Sequence, residues 1–238
     1  EAGLPVAAKA LSPEGWDDAA AAIMTTDTVP KKATVVLPDS GAVLCGIAKG
    51  SGMIAPNMAT MLSFLATDAR LNPEQLSSCL QKAVGRSYNC VTVDGDMSTN
   101  DTVLILANGA SGGPVLSGSA LETFQEGLNA LCVSLSRQIA RDGEGATKLI
   151  TVTVSGAASE ADARTVALSV ANSSLVKTAV FGRDPNWGRI VMAVGKAGEK
   201  ADRDKLTITI GGIRIAEDGL ARLDYDEAPV AEHMKGTD

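Results

Sequence analysis

Short apolar and β-branched runs alternate with stretches of helical periodicity along the chain. The runs that predict strands are Ala33–Leu37, Ala42–Ala48, Thr102–Ala107, Leu149–Val154, Ile190–Val194 and Leu206–Ile210. Apolar residues spaced by three and four predict helices between these strands. A helix with one apolar stripe must pack on a sheet or on another helix, so the pattern predicts a layered α/β protein.

Three helices carry the clearest signals. The first begins at the capping box Ser119-x-x-Glu122, and its apolar stripe is Leu121, Phe124, Leu128, Leu131, Leu135 and Ile139. The second begins at Asn72 with Pro73 in its first turn, and buries Leu76, Leu80 and Val84. The third follows Ser159, and its inward residues are Ala163, Val166, Ala167 and Val170. Between them, the Gly/Ser-rich stretch Gly109–Gly118 is either a linker or a loop.

Composition narrows the class of protein. The 238 residues, 45% hydrophobic and 21% charged, fit one large globular domain or two small ones. No apolar run approaches the ~20 residues of a membrane span. A net charge of −7 and an aromatic content of 3% argue against a nucleic-acid partner. We therefore expect neither a nucleic acid nor a membrane as a partner.

Cysteine and histidine offer little to catalysis. The cysteines Cys45, Cys79, Cys90 and Cys132 lack CxxC spacing, so we expect reduced, buried thiols and no zinc site. The single histidine, His233, lies close to the end of the chain and is a poor candidate for a catalytic base. An enzyme with this sequence would use a base other than imidazole.

The most unusual segment is Lys49–Leu65, a Gly-rich loop with a proline that leads into an apolar strand at Thr60. Its order of residues is not that of a Walker A loop. It is either a hairpin loop or a site of self-cleavage, in which the Thr60 hydroxyl attacks the carbonyl of Ala59. Cleavage would free the Thr60 α-amino group, with an ordinary pKa of ~7.7–8.0, as a general base. That chemistry needs no histidine.

Other polar segments have two interpretations each. The run Asp94–Thr102 could form a metal loop, but EF-hand spacing is absent and a hydrogen-bonded turn is favoured. The two arginines of Gly182–Arg189 suggest a phosphate loop or a structural loop around Trp187. By themselves, Thr25, Lys49 and Glu144 would be ordinary residues of turns and loop flanks.

Five segments together resemble one family. In order they are Thr25–Thr28, Lys49–Leu62, Asp94–Thr102, Arg141–Lys148 and Phe181–Arg189. They are similar to segments of the glutamate/ornithine N-acetyltransferases of arginine biosynthesis, and they span most of the chain. The resemblance implies an α/β layered sandwich of mixed sheets with flanking helices, of the DmpA/ArgJ type, which processes itself at an internal threonine.

The resemblance also implies a reaction. Thr60 takes the acetyl group of N2-acetyl-L-ornithine and passes it to L-glutamate, and in some members acetyl-CoA is also a donor. It implies cleavage between Ala59 and Thr60, and substrate contacts at Thr25, Lys49, Thr60 and Glu144. Lys49 suits a substrate carboxylate, and Glu144 suits the cationic part of ornithine. No cofactor or metal is expected.

Cleavage would give an alpha fragment that ends at residue 59 and a beta fragment over 60–238. The resemblance implies that two alpha and two beta chains form a heterotetramer. Compared with the family, the sequence is expected to lack parts of both ends, including the oxyanion hole and the last substrate contacts. We expect a cytoplasmic location, or an organellar one in a eukaryote. The alternatives are an N-terminal-nucleophile amidase or aminopeptidase, and a non-catalytic, uncleaved module.

Overall fold

The computed structural model describes residues 3–55, 61–222 and 224–238. The chain divides between Glu144 and Gly145 into two compact units, unit 1 (residues 1–144) and unit 2 (residues 145–238). The stretch Gly109–Gly118 lies inside unit 1 and connects a strand to a helix, so it is a loop rather than a linker between the units. Within the described ranges, no helix is both long enough and apolar enough to cross a membrane.

Unit 1 is a four-stranded mixed sheet with helices. Its elements are α1 (Leu4–Lys9), α2 (Trp16–Ala22), β1 (Lys31–Val36), β2 (Val43–Lys49), β3 (Leu62–Thr67), α3 (Pro73–Gly85), a 3-10 turn (Tyr88–Cys90), β4 (Thr102–Ala107) and α4 (Gly118–Arg141). The strands lie in the order β1-β2-β3-β4. The first three are antiparallel neighbours, whereas β4 runs parallel to β3. The three strands predicted in this unit are confirmed to within two residues at each end.

The long helix α4 packs on one face of this sheet and forms the core of unit 1. From its predicted stripe, Phe124, Leu128, Leu131, Leu135 and Ile139 are fully buried. The helix begins at Gly118 after Ser117, which makes no side-chain cap, so the predicted capping box at Ser119 is wrong. Burial of the stripe, rather than a cap, stabilises this helix.

Helix α3 begins as predicted. The Asn72 side chain accepts from the Gln75 amide and the Gln75 side chain accepts from the Asn72 amide, which is a complete capping box. Cys79 and Ala83 are its buried residues, and the predicted Leu76, Leu80 and Val84 are partly buried against the same core. The predicted face of α3 is therefore the one that packs on the core. Its most buried residues, Cys79 and Ala83, each lie one position before the predicted Leu80 and Val84.

Unit 2 combines helices with a small antiparallel sheet. Its elements are α5 (Glu160–Ala171), α6 (Ser174–Phe181), α7 (Trp187–Lys196), a 3-10 turn (Arg203–Lys205), β5 (Ile208–Ile210), β6 (Ile213–Glu217), β7 (Leu220–Ala221) and α8 (Glu227–His233). Helix α5 is the predicted third helix, and Ser159 caps it by accepting from the Asp162 amide. Val166 and Val170 bury as expected beside residues of α6 and α7.

The strand predictions in unit 2 were less successful. Residues Ile190–Val194 lie in α7, where the Asn186 side chain accepts from the Arg189 amide and starts a helix instead. A short apolar run does not distinguish a buried strand from a buried helix. Here the N-cap at Asn186 favours the helix. The run Leu149–Val154 has no strand partner in the described part of the chain. The predicted Leu206–Ile210 shortens to β5.

Candidate active site

A buried lysine lies at the start of β1, beneath the C-terminal end of α4. Lys31 is fully buried, and its Nζ lies 2.6 Å from Asp27 Oδ1 and 2.6 Å from Asp142 Oδ2. The ammonium also donates to the carbonyl of Val29 at 3.3 Å. Three acceptors match its three protons, and the carbonyl end of α4 favours a cation at this position. We refer to Asp27, Lys31 and Asp142 as the ion triad.

The two carboxylates of the ion triad also hold the backbone around them. Asp27 accepts from the amide of Gly50 at 2.7 Å and from that of Thr25 at 3.2 Å. Asp142 accepts from the amide of Thr28 at 2.9 Å and from its hydroxyl. The triad therefore connects the segment 25–28 to the end of β2 and to the end of α4.

These contacts keep both carboxylates ionised. Burial acts to raise the pKa of Asp27, but the hydrogen bonds from the Gly50 amide and the Lys31 ammonium outweigh it, and the pKa lies below its ordinary value. Burial likewise opposes ionisation of Asp142, whose pKa is nevertheless lowered by Lys31 and by the two hydrogen bonds from Thr28. At neutral pH the triad thus carries one positive and two negative charges.

The loop after β2 is bonded to the segment that follows α4. The Ser51 hydroxyl donates to the carbonyl of Asp142 at 2.8 Å, and the Glu144 amide donates to the carbonyl of Ser51 at 2.9 Å. The Glu144 side chain is exposed and lies directly over Gly52, where an added Cβ would be 2.5 Å from Glu144 Oε2. A glycine at position 52 is what allows this carboxylate to approach so closely.

Lys49 is the last residue of β2 and is paired with Leu62 across the hairpin. It is only 8% exposed, yet among the described residues no carboxylate forms an ion pair with its ammonium. The positive charge does act on Asp101: burial raises the pKa of that carboxyl, while the Met61 amide and the charge of Lys49 oppose the rise. A buried cation without a carboxylate partner is suited to bind an anionic group.

The run Asp94–Thr102 is a hydrogen-bonded turn, as the sequence favoured. Asp94 accepts from the amides of Met53 and Ile54, at 2.7 and 3.1 Å, and from the amide of Asp96. Its carboxylate therefore fixes the loop just before residues 56–60. Within the described ranges, no cluster of three or more His, Cys, Asp or Glu residues could hold a metal ion.

The residues of the predicted cleavage bond, Ala59 and Thr60, lie outside the described residues. The next residue, Met61, is described: its amide donates to Asp101 Oδ1 at 2.8 Å, and its carbonyl accepts from the Thr102 amide. The backbone of Met61 is thus anchored to residues 101 and 102, at the start of β4.

The structure thus brings three of the predicted site residues to one loop. Lys49 directly precedes Gly50, Glu144 covers Gly52, and the segment of Thr25 is bonded to the same loop through the triad. The sequence analysis gave no role to Lys31. The signal was alternation along β1, in which residues 31, 33 and 35 face inward.

Two other sequence interpretations are resolved by contacts. Arg189 donates to the carbonyl of Leu175 and the hydroxyl of Thr178, so it holds α7 to α6 and supports a structural role for its loop. All four cysteines are free thiols. Cys79 and Cys132 are buried and Cys45 is half-buried, but the expectation of burial is wrong for Cys90, which is exposed at the turn after α3.

Longer proteins from bacteria are similar to this chain. The arginine biosynthesis bifunctional proteins ArgJ of Zymomonas mobilis and Gluconobacter oxydans are 51% and 52% identical over 235 and 240 residues. These alignments cover 96% and 99% of this chain but 58% and 57% of the relatives, so the chain spans less than two thirds of their length.

A solved structure and a family model agree with these relatives. The crystal structure of ArgJ from Bacillus halodurans is 40% identical, with a TM-score of 0.72 over 75% of this chain and 84% of the other. The match confirms the predicted α/β fold, with sheets flanked by helices. The model of the ArgJ family matches residues 1–238, and the chain therefore belongs to the ArgJ family.

Proposed function

We propose that the protein containing this chain is a glutamate N-acetyltransferase of arginine biosynthesis. It would move an acetyl group from N2-acetyl-L-ornithine to L-glutamate through an ester on Thr60. The observation that carries the proposal is the meeting of Lys49, Glu144 and the Thr25 segment at residues 50–52, just before the proposed nucleophile. The name "bifunctional" carried by the relatives favours acetyl-CoA as a second acetyl donor.

The first step of the proposal is cleavage between Ala59 and Thr60. The Thr60 hydroxyl attacks the Ala59 carbonyl, and the acyl group moves from the Thr60 nitrogen to its side-chain oxygen, which frees the α-amino group. Water then hydrolyses this ester to the carboxylate of Ala59 and the hydroxyl of Thr60. The amides of Met53 and Met61, on either side of residues 56–60, donate to Asp94 and Asp101. These hydrogen bonds support the cleavage step because they hold both ends of the loop that would react.

Residues 1–59 would be the C-terminal part of an alpha fragment, and a beta fragment would begin with residues 60–238. The antiparallel pairing of β2 with β3 supports their staying together, because six residue pairs from Leu44↔Thr67 to Lys49↔Leu62 bridge the cut loop. The ion pair between Lys31 and Asp142 would also join the two fragments, since Lys31 lies in the alpha fragment and Asp142 in the beta fragment. We propose two copies of each fragment in the assembled enzyme.

Acetyl transfer would then use the new α-amino group as the base. It takes the proton of the Thr60 hydroxyl as the oxygen attacks the acetyl carbonyl, and returns a proton to the departing amine of ornithine. The acetyl ester remains until the amine of glutamate attacks it. The same base accepts the proton of that amine, and N-acetylglutamate leaves with the hydroxyl of Thr60 restored.

The substrate contacts follow from charge. The ammonium of Lys49 suits the α-carboxylate that both substrates carry, because it has no protein carboxylate partner among the described residues. The exposed carboxylate of Glu144 suits the cationic side chain of ornithine. The hydroxyl of Thr25, held through its backbone by Asp27, suits a polar substrate group.

Intact mass and N-terminal sequencing test the cleavage, with Thr60→Ala and Thr60→Ser as a matched pair. We expect one fragment that ends at Ala59 and one that begins at Thr60 in the parent protein, no cleavage in Thr60→Ala, and slower cleavage in Thr60→Ser. Cleavage that persists in Thr60→Ala would exclude this residue. An uncut chain under all folding conditions would favour the non-catalytic module.

A half-reaction tests the transfer. With N2-acetyl-L-ornithine alone, we expect one equivalent of ornithine and a gain of one acetyl group on the first residue of the beta fragment. Glutamate should discharge it, and double-reciprocal plots should be parallel. Continuous release of ornithine without glutamate would instead favour the amidase, and intersecting plots without an acetylated fragment would contradict the ester.

A further inference from the structure

The ion triad connects the segments that carry three of the proposed substrate contacts, Thr25, Lys49 and Glu144. Asp27 holds the amide of Gly50, which follows Lys49, and also the amide of Thr25. Asp142 holds Thr28 and lies two residues before Glu144, in a segment whose backbone is bonded to Ser51. Among the residues that the structure describes, Lys31 is the one whose side chain contacts both carboxylates.

We propose that Lys31 is a positioning residue, which sets the distance between the Thr25 and Lys49 side of the substrate site and the Glu144 side. The inference rests on the proposed function for those three residues. In that function Lys31 and Glu144 belong to different fragments, so the Lys31–Asp142 ion pair fixes one half of the substrate site against the other after cleavage.

Among the described ion pairs, none offers the two carboxylates a cation other than Lys31. The side chains of Lys31 and Asp27 are fully buried and that of Asp142 is 7% exposed, so water does not screen the two carboxylates from each other. Without Lys31, one of them must take up a proton or move towards solvent. Either change weakens the acceptor for the Gly50 amide or for the Thr28 amide, and the loop and the segment after α4 lose their common anchor.

The neighbouring residue supplies a matched control. Lys32 has the same charge on the same strand, but its side chain is 56% exposed and pairs with Asp17, which is 73% exposed. We would compare Lys31→Met with Lys32→Met in the cleaved protein. The readouts are hydrogen exchange at the amides of Thr28, Gly50 and Glu144, with α4 core amides as reference, and KM and kcat for both amino-acid substrates.

For Lys31→Met we expect exchange at these three amides to accelerate by about tenfold or more relative to the α4 core. The amides of Thr28 and Gly50 lose strength in their hydrogen bonds to the carboxylates, and the bond from the Glu144 amide to the Ser51 carbonyl loses the anchor that holds its two segments together. KM should rise about tenfold for both substrates, with a smaller change in kcat. Lys32→Met should change neither readout. A role in stability alone predicts the opposite pattern, in which all amides shift together and kcat falls at an unchanged KM, and that result would overturn the proposal.

A milder variant covers the case in which Lys31→Met does not fold. Asp142→Asn keeps an acceptor for Thr28 but removes the charge that Lys31 pairs with, so it should raise KM and the exchange of the Thr28 and Glu144 amides in the same direction. Unchanged exchange and KM in Asp142→Asn would contradict the proposal. If the parent protein transfers no acetyl group, the exchange data alone still decide whether Lys31 holds the segments together.

Discussion

The contact between Gly52 and Glu144 can be perturbed with one methyl group. An added Cβ at Gly52 would lie 2.5 Å from Glu144 Oε2, but 3.7 Å from the Cβ and Cδ of the same side chain. Only the carboxylate end is crowded, and it is exposed and able to move. Gly52 does not have a positive φ, so alanine is compatible with its backbone.

The expected effects on folding and on catalysis differ in size. Ordinary contact begins at 3.4 Å, so the carboxylate must move by about 0.9 Å. A displacement of that order in a substrate-binding group can cost up to ~100-fold in rate. Because the displaced atom belongs to an exposed side chain, the free energy of unfolding should change by less than ~0.5 kcal/mol.

Steady-state kinetics and urea unfolding check this prediction. Gly52→Ala should raise KM for N2-acetyl-L-ornithine by tenfold or more, on the order of 1.4 kcal/mol, and affect glutamate less. Gly85→Ala, at the end of α3 with open space around it, serves as the control and should change neither KM. In a Glu144→Ala background, Gly52→Ala should have no further effect. Equal losses in both backgrounds would show that the methyl group does not act through Glu144.

Three further predictions concern stability and reactivity. The low pKa values of Asp27 and Asp142 stabilise the fold at pH values above the ordinary 3.8. This stability should be lost as the pH falls below 3.8 through the lowered pKa values, which urea unfolding from pH 7 to about pH 2 would measure as a falling midpoint. Asn72→Ala removes a capping box and should lower the free energy of unfolding by ~1 kcal/mol, whereas an unchanged urea midpoint would contradict the cap. Iodoacetamide should modify the exposed Cys90 before Cys132, because burial raises the pKa of Cys132 to about 12. Acetyl transfer should survive this treatment, and rapid inactivation prevented by substrate would argue for a cysteine in the mechanism.

Local sequence signals determined much of the fold. The stripe of α4 was readable because five of its residues recur at helical spacing and all are buried on the sheet. The start of α3 was readable because Asn72 is a favoured N-cap residue and Pro73 fits the first turn of a helix. The motif segments indicated the family, which the similarity over residues 1–238 confirms. These signals are contained in short stretches, so no knowledge of distant neighbours was required.

The tertiary structure decided how those stretches pack and which distant residues contact each other. The run Ile190–Val194 looked like a strand until the Asn186 cap and the packing of α7 on α5 and α6 were known. Lys31 and Asp142 are 111 residues apart, and nothing in either segment alone shows that their charges meet in the core. The approach of Glu144 to Gly52 depends on the same long-range contact between the end of α4 and the loop after β2. Sequence periodicity specifies which face of an element is buried, but only folding specifies which distant charge lies on the other side.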